Sequence, residues 1–253
     1  MSNKKRFLSK VAAGLCAACF GAVPAVHAES QFGDWEKFYS FNKEILEHTH
    51  SKKMMKLPIY RQASNYTSGV ACVLSILRYT SYEFDIREDN LKKALHTTEE
   101  NGTKWHDIVN YLNAVRLNDT DHQYFEVEKK ERMIIDDLIK EIKKGHPVIC
   151  AIQAWNWDEN EEYSMDLDYS NEWECGHWAI AIGYLRDNII FMDPSTAGNY
   201  TYIPKDRLVA RWHDYNVDEN NQRYDMLQWG LVVKINVENP DCEKHADHLY
   251  GLM

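Results

Sequence analysis

Residues 61–79 read RQASNYTSGVACVLSILRY, a turn of small polar residues running straight into an apolar segment. From Ser68 onward, Val70, Cys72, Val73, Leu74, Ile76 and Leu77 leave almost no polar stripe, so the segment is expected to be a buried helix. A helix start offers unpaired N–H groups and the positive end of the peptide dipoles. Both favour a nucleophile and the oxyanion that develops beside it. The residue standing there is Ser68, and the nearest thiol, Cys72, lies one turn deeper. Gln62, six residues before Ser68, carries an amide donor that suits an oxyanion hole.

Outward from this stretch the chain changes character once. Trp35, Phe38, Phe41 and Ile45 repeat at helical spacing, so residues 29–56 are expected to form a lead-in helix. Leu57-Pro58-Ile59-Tyr60 reads as extended, because proline disfavours helix at the residue before it. Further helices are expected near 88–96, 103–115 and 131–144, the last closing at Gly145 ahead of Pro147. Then come runs rich in β-branched residues: 148–152, 178–182, 188–192 and 231–235. Helices first and strands second indicate an α+β fold, a helical half packed on an antiparallel sheet half.

The amino terminus reads as a cleavable export signal. Lys4, Lys5 and Arg6 precede an uncharged apolar run over 11–23, and Val26-His27-Ala28 supplies small residues for cleavage near Glu29. The run is shorter than the about 20 residues a bilayer crossing needs. The expected organisation is a signal peptide at 1–28, the lead-in helix at 29–56, the main domain at 57–237 and a tail at 238–253. The expected location is secreted or periplasmic, with no membrane anchor after processing. The 253-residue chain has 29 basic and 39 acidic residues; losing Lys4, Lys5, Arg6 and Lys10 leaves 25 against 39, a net charge of −14. That balance argues against nucleic acid and anionic membrane surfaces as partners. Cys72, Cys150, Cys175 and Cys242 remain after cleavage, enough for one or two disulfides in an oxidising compartment. Cys72 and Cys150 sit in apolar runs and read as inert core thiols.

Two segments in the sheet half complete a constellation with Ser68. His177 opens the strand in CGHWAIAIGY (175–184), and Asp193 closes the next one in IIFMDPS (189–195). A hairpin between them would set the carboxylate against one imidazole nitrogen and leave the other as a base.

These residues resemble the papain-like cysteine peptidases that process the double-glycine leaders of bacteriocins. Gln62, Gly69, Ala71 and Cys72 match the family's nucleophile segment, and GHPV (145–148) with GHWAIAIGYLRDNIIFMDPS (176–195) matches its second half. Gly102-Thr103 before a helix fits the exported, transporter-free relatives. The likeness spans roughly 57–214. It implies a papain-like fold in a bacterial protein and a peptide or protein substrate with no cofactor and no metal. It also implies four catalytic positions: residue 68 as nucleophile, His177 as base then acid, Asp193 as its orienting partner, and Gln62 in the oxyanion hole. The departure is central, because the family has its catalytic Cys where this chain has Ser68. Three origins are consistent with it: an engineered replacement, a natural serine version, or a pseudoenzyme that keeps the cleft to bind peptide.

Three lesser features have bland readings. CEKHADH (242–248) spaces Cys242, His245 and His248 for metal ligation on a helix, but near a terminus it reads first as a solvated tail. DYNVDENNQRYD (214–225) opens like a calcium loop, yet Glu219 stands where a glycine is required. Residues 158–174 hold eight carboxylates and are expected to form a long solvated loop between strands. Among the tryptophans, Trp155 and Trp178 are the candidates for a substrate groove, the others for core.

Overall fold

The computed structural model describes residues 54–80, 86–116, 123–154, 169–196, 200–217 and 222–236. The expected signal peptide, most of the lead-in helix, Trp155, Trp157 and the C-terminal tail with Cys242, His245 and His248 lie outside the described residues. Met54 and Met55 are extended, bridging Gly183 and bonding Ile182 O at 2.9 Å, so the helix expected over 29–56 does not reach residue 54.

Among the described residues, five helices pack against a mostly antiparallel sheet in the papain-like arrangement. Helix α1 (Ser68–Tyr79) is buried without interruption from Ser68 to Leu77, as its all-round apolar sequence requires. Helices α2 (Glu88–Ala94) and α3 (Trp105–Ala114) follow, and α4 (Ile135–Lys143) comes after the first strand. The expected start of α4 at 131 moves to 135, because Arg132 adopts a left-handed φ of 53° and Ile134 is still extended. Its end falls where the sequence indicated. Gly145 takes φ 81°, and His146 N–H reaches back to Glu141 O at 3.1 Å.

Six strands form the main sheet, in the order β1-β8-β2-β3-β4-β5, every pairing antiparallel. They are β1 (Phe125–Lys130), β2 (Val148–Gln153), β3 (Gly176–Leu185), β4 (Asn188–Met192), β5 (Thr201–Pro204) and β8 (Gly230–Ile235). Strand β2 is buried along its whole length and β3 from His177 to Gly183, which is why neither sequence alternates polar with apolar. Helix α5 (Lys205–Arg211) follows β5, and a separate hairpin joins β6 (His213–Val217) to β7 (Arg223–Leu227). This hairpin carries the described ends of the stretch that opens like a calcium loop but was expected to be a solvated face. Asp214 and Asn216 lie on its first, paired strand. Among the described residues no cluster of three potential metal ligands is present.

Helix α1 packs on β3, and that contact sets the site. Residues 68 and 72 are one turn apart and share a face. Ser68 Oγ accepts the Trp178 N–H at 3.2 Å, while Cys72 Sγ donates to the Trp178 carbonyl at 3.4 Å. The two side chains bracket a single β3 residue, so the helix is locked to the strand next to His177. Gly69 lets Thr103 pack close against the same helix: a Cβ there would sit 2.6 Å from Thr103 Cβ. Thr103 is held in turn by Thr97 and accepts the Trp178 indole N–H at 3.0 Å. Trp178 is thus buried and fastened, 8 % exposed, rather than open to a groove.

Candidate active site

His177 and Asp193 meet through the β3–β4 hairpin. The register pairs Ile180 with Met192, and a bulge between Ala181 and Gly183 adjusts the alignment. His177 Nε2 lies 2.8 Å from Asp193 Oδ1. That oxygen also accepts the Ser195 N–H at 2.8 Å and the Ser195 hydroxyl at 2.7 Å. Burial would push the Asp193 carboxyl up. The neighbouring imidazole and the Ser195 donors outweigh it and hold the group below the ordinary carboxylate value. With Nε2 engaged, Nδ1 is the nitrogen left for chemistry, and it makes no hydrogen bond among the described residues.

Ser68 begins α1. The first backbone bond of the helix runs from Ala71 N–H to Thr67 O at 3.0 Å, so the amides of Ser68, Gly69 and Val70 have no carbonyl one turn back. The hydroxyl sits beside the residue that follows His177, but it makes no hydrogen bond to the imidazole. Its oxygen is engaged by the Trp178 N–H instead. The four sequence-predicted residues are therefore gathered at one end of β3, while the nucleophile–base link is not formed.

Gln62 is tied to the same turn, since its backbone N–H donates to Pro194 O at 2.9 Å. Its side chain has turned inward: Nε2 donates to Ser64 O at 2.8 Å and Oε1 is buried without a partner. One amide hydrogen is spent on the loop, and the other has no acceptor among the described residues.

The described thiols offer no alternative nucleophile. Cys72, Cys150 and Cys175 are free. Burial, followed by the charge of Asp193, raises the Cys72 thiol well above its ordinary value, and burial raises Cys150 likewise. Cys175 is raised by burial and by the carboxylates of Glu172 and Glu174. Cys72 is a structural contact, as its place one turn below Ser68 suggested.

Residues 54–218 match the family described as "Peptidase_C39 like family", which is more than half the chain. The chain belongs to this peptidase family. Membership places it with the peptidase-type hydrolases of the cysteine class. No curated protein matches the chain. Three solved structures are similar at low identity. One is a double glycine motif protease from an AMS/PCAT transporter in complex with the leader peptide, at 11 % identity and TM-score 0.44, covering 74 % of this chain and 96 % of that one. Another is the peptidase domain of Streptococcus ComA, a bifunctional ABC transporter, at 15 % and 0.42, covering 67 % and 98 %. The third is a C39-like peptidase from Bacillus anthracis, at 12 % and 0.44, covering 72 % and 97 %.

The sequence reading missed several residues that shape the site. Gln153, fully buried at the end of β2, accepts the Cys175 N–H at 2.9 Å and donates to His213 O and Asp214 Oδ1, both at 3.2 Å. It fixes the backbone just ahead of His177. Ser195 was visible only as the residue after Asp-Pro, and Asp214 was read as part of a solvated acidic stretch.

Proposed function

We propose that this chain is an exported peptide-cleft protein of the cysteine-peptidase type in which residue 68 occupies the nucleophile position. The observation that carries the reading is the 2.8 Å His177–Asp193 pair set beside the residue that Ser68 contacts at the start of a buried helix. In this scheme the carboxylate keeps His177 in the tautomer whose Nδ1 accepts a proton. Residue 68 attacks the carbonyl of a peptide or amide bond, and His177 returns the proton to the leaving amine. The residue-68 N–H and the spare Gln62 amide hydrogen stabilise the tetrahedral oxyanion. Export follows from the signal-like segment at 1–28.

A second reading has its own support: a non-catalytic peptide-binding protein in the same cleft. Ser68 Oγ accepts a backbone N–H and makes no hydrogen bond to His177, so the link that would pass its proton to the base is not formed. A thiol of ordinary pKa near 8.5 could be lowered by the helix start and an imidazolium. A hydroxyl must lose its proton during attack, and a misplacement of about 1 Å costs roughly a hundredfold in rate. The test compares the native chain with Ser68→Cys on a mixed peptide library, with thiol-directed labelling of position 68. Expected are labelling at residue 68 faster than at Cys72 and turnover raised roughly a hundredfold. If neither appears while peptide still binds, the binding reading stands. If no peptide binds, the cleft has another use.

A further inference from the structure

A second carboxylate stands at the same end of β3. Gly176, the residue before His177, is exposed, and a Cβ on it would fall 2.6 Å from both carboxylate oxygens of Asp214. Asp214 therefore fills the space where a side chain of residue 176 would be. The hairpin brings it there: Asp214 pairs with Met226 and Asn216 with Tyr224, and period two puts these four side chains on one face. Met226 is fully buried, so that face turns toward the body of the protein.

The two oxygens of Asp214 differ. Oδ1 accepts the Tyr215 N–H at 2.8 Å and Gln153 Nε2 at 3.2 Å. Oδ2 makes no hydrogen bond among the described residues. Asp214 is only partly exposed, and burial raises its carboxyl to about 7. The charges facing it are His177 on β3 and Arg223 on β7. Neither forms an ion pair with it: His177 is committed to Asp193, and Arg223 lies over the Tyr215 ring at 3.9 Å and 3.7 Å from Asp225. Glu172 and Glu174 add negative charge around Cys175, one residue further back. The site mouth thus holds an anchored carboxyl on which His177 and Arg223 act without direct contact, and among the described residues no cation forms an ion pair with it.

We propose that Asp214 is a specificity residue that binds a basic side chain, lysine or arginine, on a peptide lying along Gly176 beside the bond held at His177. This rests on the peptide-cleft reading above. Gly176 is one strand residue, roughly 3.3 Å along β3, from His177, so a peptide residue adjoining the bond held there falls at its level. A cation there completes the hydrogen bonding of Oδ2 and neutralises a crowded carboxylate. The strongly acidic chain favours the same ligands at longer range.

The experiment uses the full chain with Ser68 in place, so that binding is read without turnover. Hexapeptide pools with lysine, norleucine or glutamate fixed at one position at a time are measured by fluorescence anisotropy. Expected is one position at which lysine binds about tenfold more tightly than norleucine, the scale of a hydrogen bond to a charged group. Asp214→Asn should reduce that ratio to threefold or less while its unfolding transition stays cooperative. Equal binding of lysine and norleucine pools at every position, or a ratio that survives Asp214→Asn, overturns the assignment and leaves the cleft reading intact. Absence of binding by every pool overturns both.

Discussion

Asp193 and Asp214 approach the same strand end from opposite sides and are driven in opposite directions. Asp193, 1 % exposed, is the more deeply buried by surface, yet it is held below the ordinary carboxylate value. Asp214 keeps some accessible surface and is raised to about 7. Depth is not what separates them. Asp193 Oδ1 receives an imidazole and both donors of Ser195, whereas Asp214 receives a backbone N–H and a neutral amide. At Asp214 burial outweighs the neutral donors, whereas at Asp193 the contacting imidazole and the Ser195 donors outweigh burial.

The comparison breaks most sharply at Asp193. Asp193→Ala strands His177 and Ser195 in a buried site and is expected to cost about 3 kcal/mol or more in urea unfolding at pH 7. Because the folded pKa is depressed, the contribution of Asp193 is present above 3.8 and fades as the pH falls below it. An unfolding free energy for the alanine variant within 1 kcal/mol of the native chain would show that the pair contributes no net stability.

Asp214→Asn should act with the opposite sign. A carboxyl raised from 3.8 to about 7 binds more protons folded than unfolded, so its ionisation destabilises the fold progressively as pH rises through that window. Asparagine keeps the acceptor for Tyr215 N–H and Gln153 Nε2 without the charge. The variant is expected to be more stable than the native chain by on the order of 2 kcal/mol at pH 8, and nearly equal to it at pH 4. Urea melts at the two pH values measure this, and a variant less stable at pH 8 would remove the asymmetry.

Gly176→Ala sharpens the spatial half of the comparison, because it crowds Asp214 and leaves Asp193 untouched. The new methyl would meet both Asp214 oxygens at 2.6 Å, an overpacking cost of about 1–2 kcal/mol. In an Asp214→Ala background the same substitution should be neutral or slightly stabilising, since alanine suits a strand better than glycine. A coupling energy near zero in the double-mutant cycle would mean that the carboxyl does not occupy that space.

Much of this was legible in the sequence, and the losses have physical reasons. The uninterrupted apolar run after Ser68 could only be a buried helix, and β2 to β4 announced themselves by β-branched runs too apolar for a surface. Pairing His177 with Asp193 needed only a hairpin between adjacent strands. The β6–β7 hairpin was hidden because its strands are polar and aromatic, HDYNV and RYDML, and their alternation is weak where one face meets a polar site. β1 carries a period-two signal in Phe125 and Val127, but its acidic and basic neighbours weaken it, and no strand was expected there. The inward turn of the Gln62 amide and the engagement of Ser68 by Trp178 N–H depend on contacts across more than 100 residues or on loop geometry, which spacing does not encode.

Glu141 supplies the smallest test, away from the site. It is 4 % exposed, and if burial ruled it should resemble Asp214. It instead holds three basic partners: Lys130 and Lys144 on Oε1 at 3.0 and 2.9 Å, and His146 on Oε2 at 2.9 Å. Burial opposes ionisation, but these donors overcome it and bring the carboxyl from 4.5 down to about 2. The stabilisation is therefore complete above pH 4.5 and is lost as the pH falls toward 2. The partners are 30, 48 and 24 % exposed, so solvent screens much of the attraction and the net value is about 1 kcal/mol. Glu141→Gln should cost that much at pH 6 and almost nothing near pH 2.5. It should lose further effect in high salt, which leaves the Asp193 variant less affected because that pair is shielded from ions. A Glu141→Gln cost that grows on acidification would mean the carboxyl is protonated in the fold. The rule drawn from Asp193 and Asp214, that a contacting charge outweighs depth, would then not extend beyond the site.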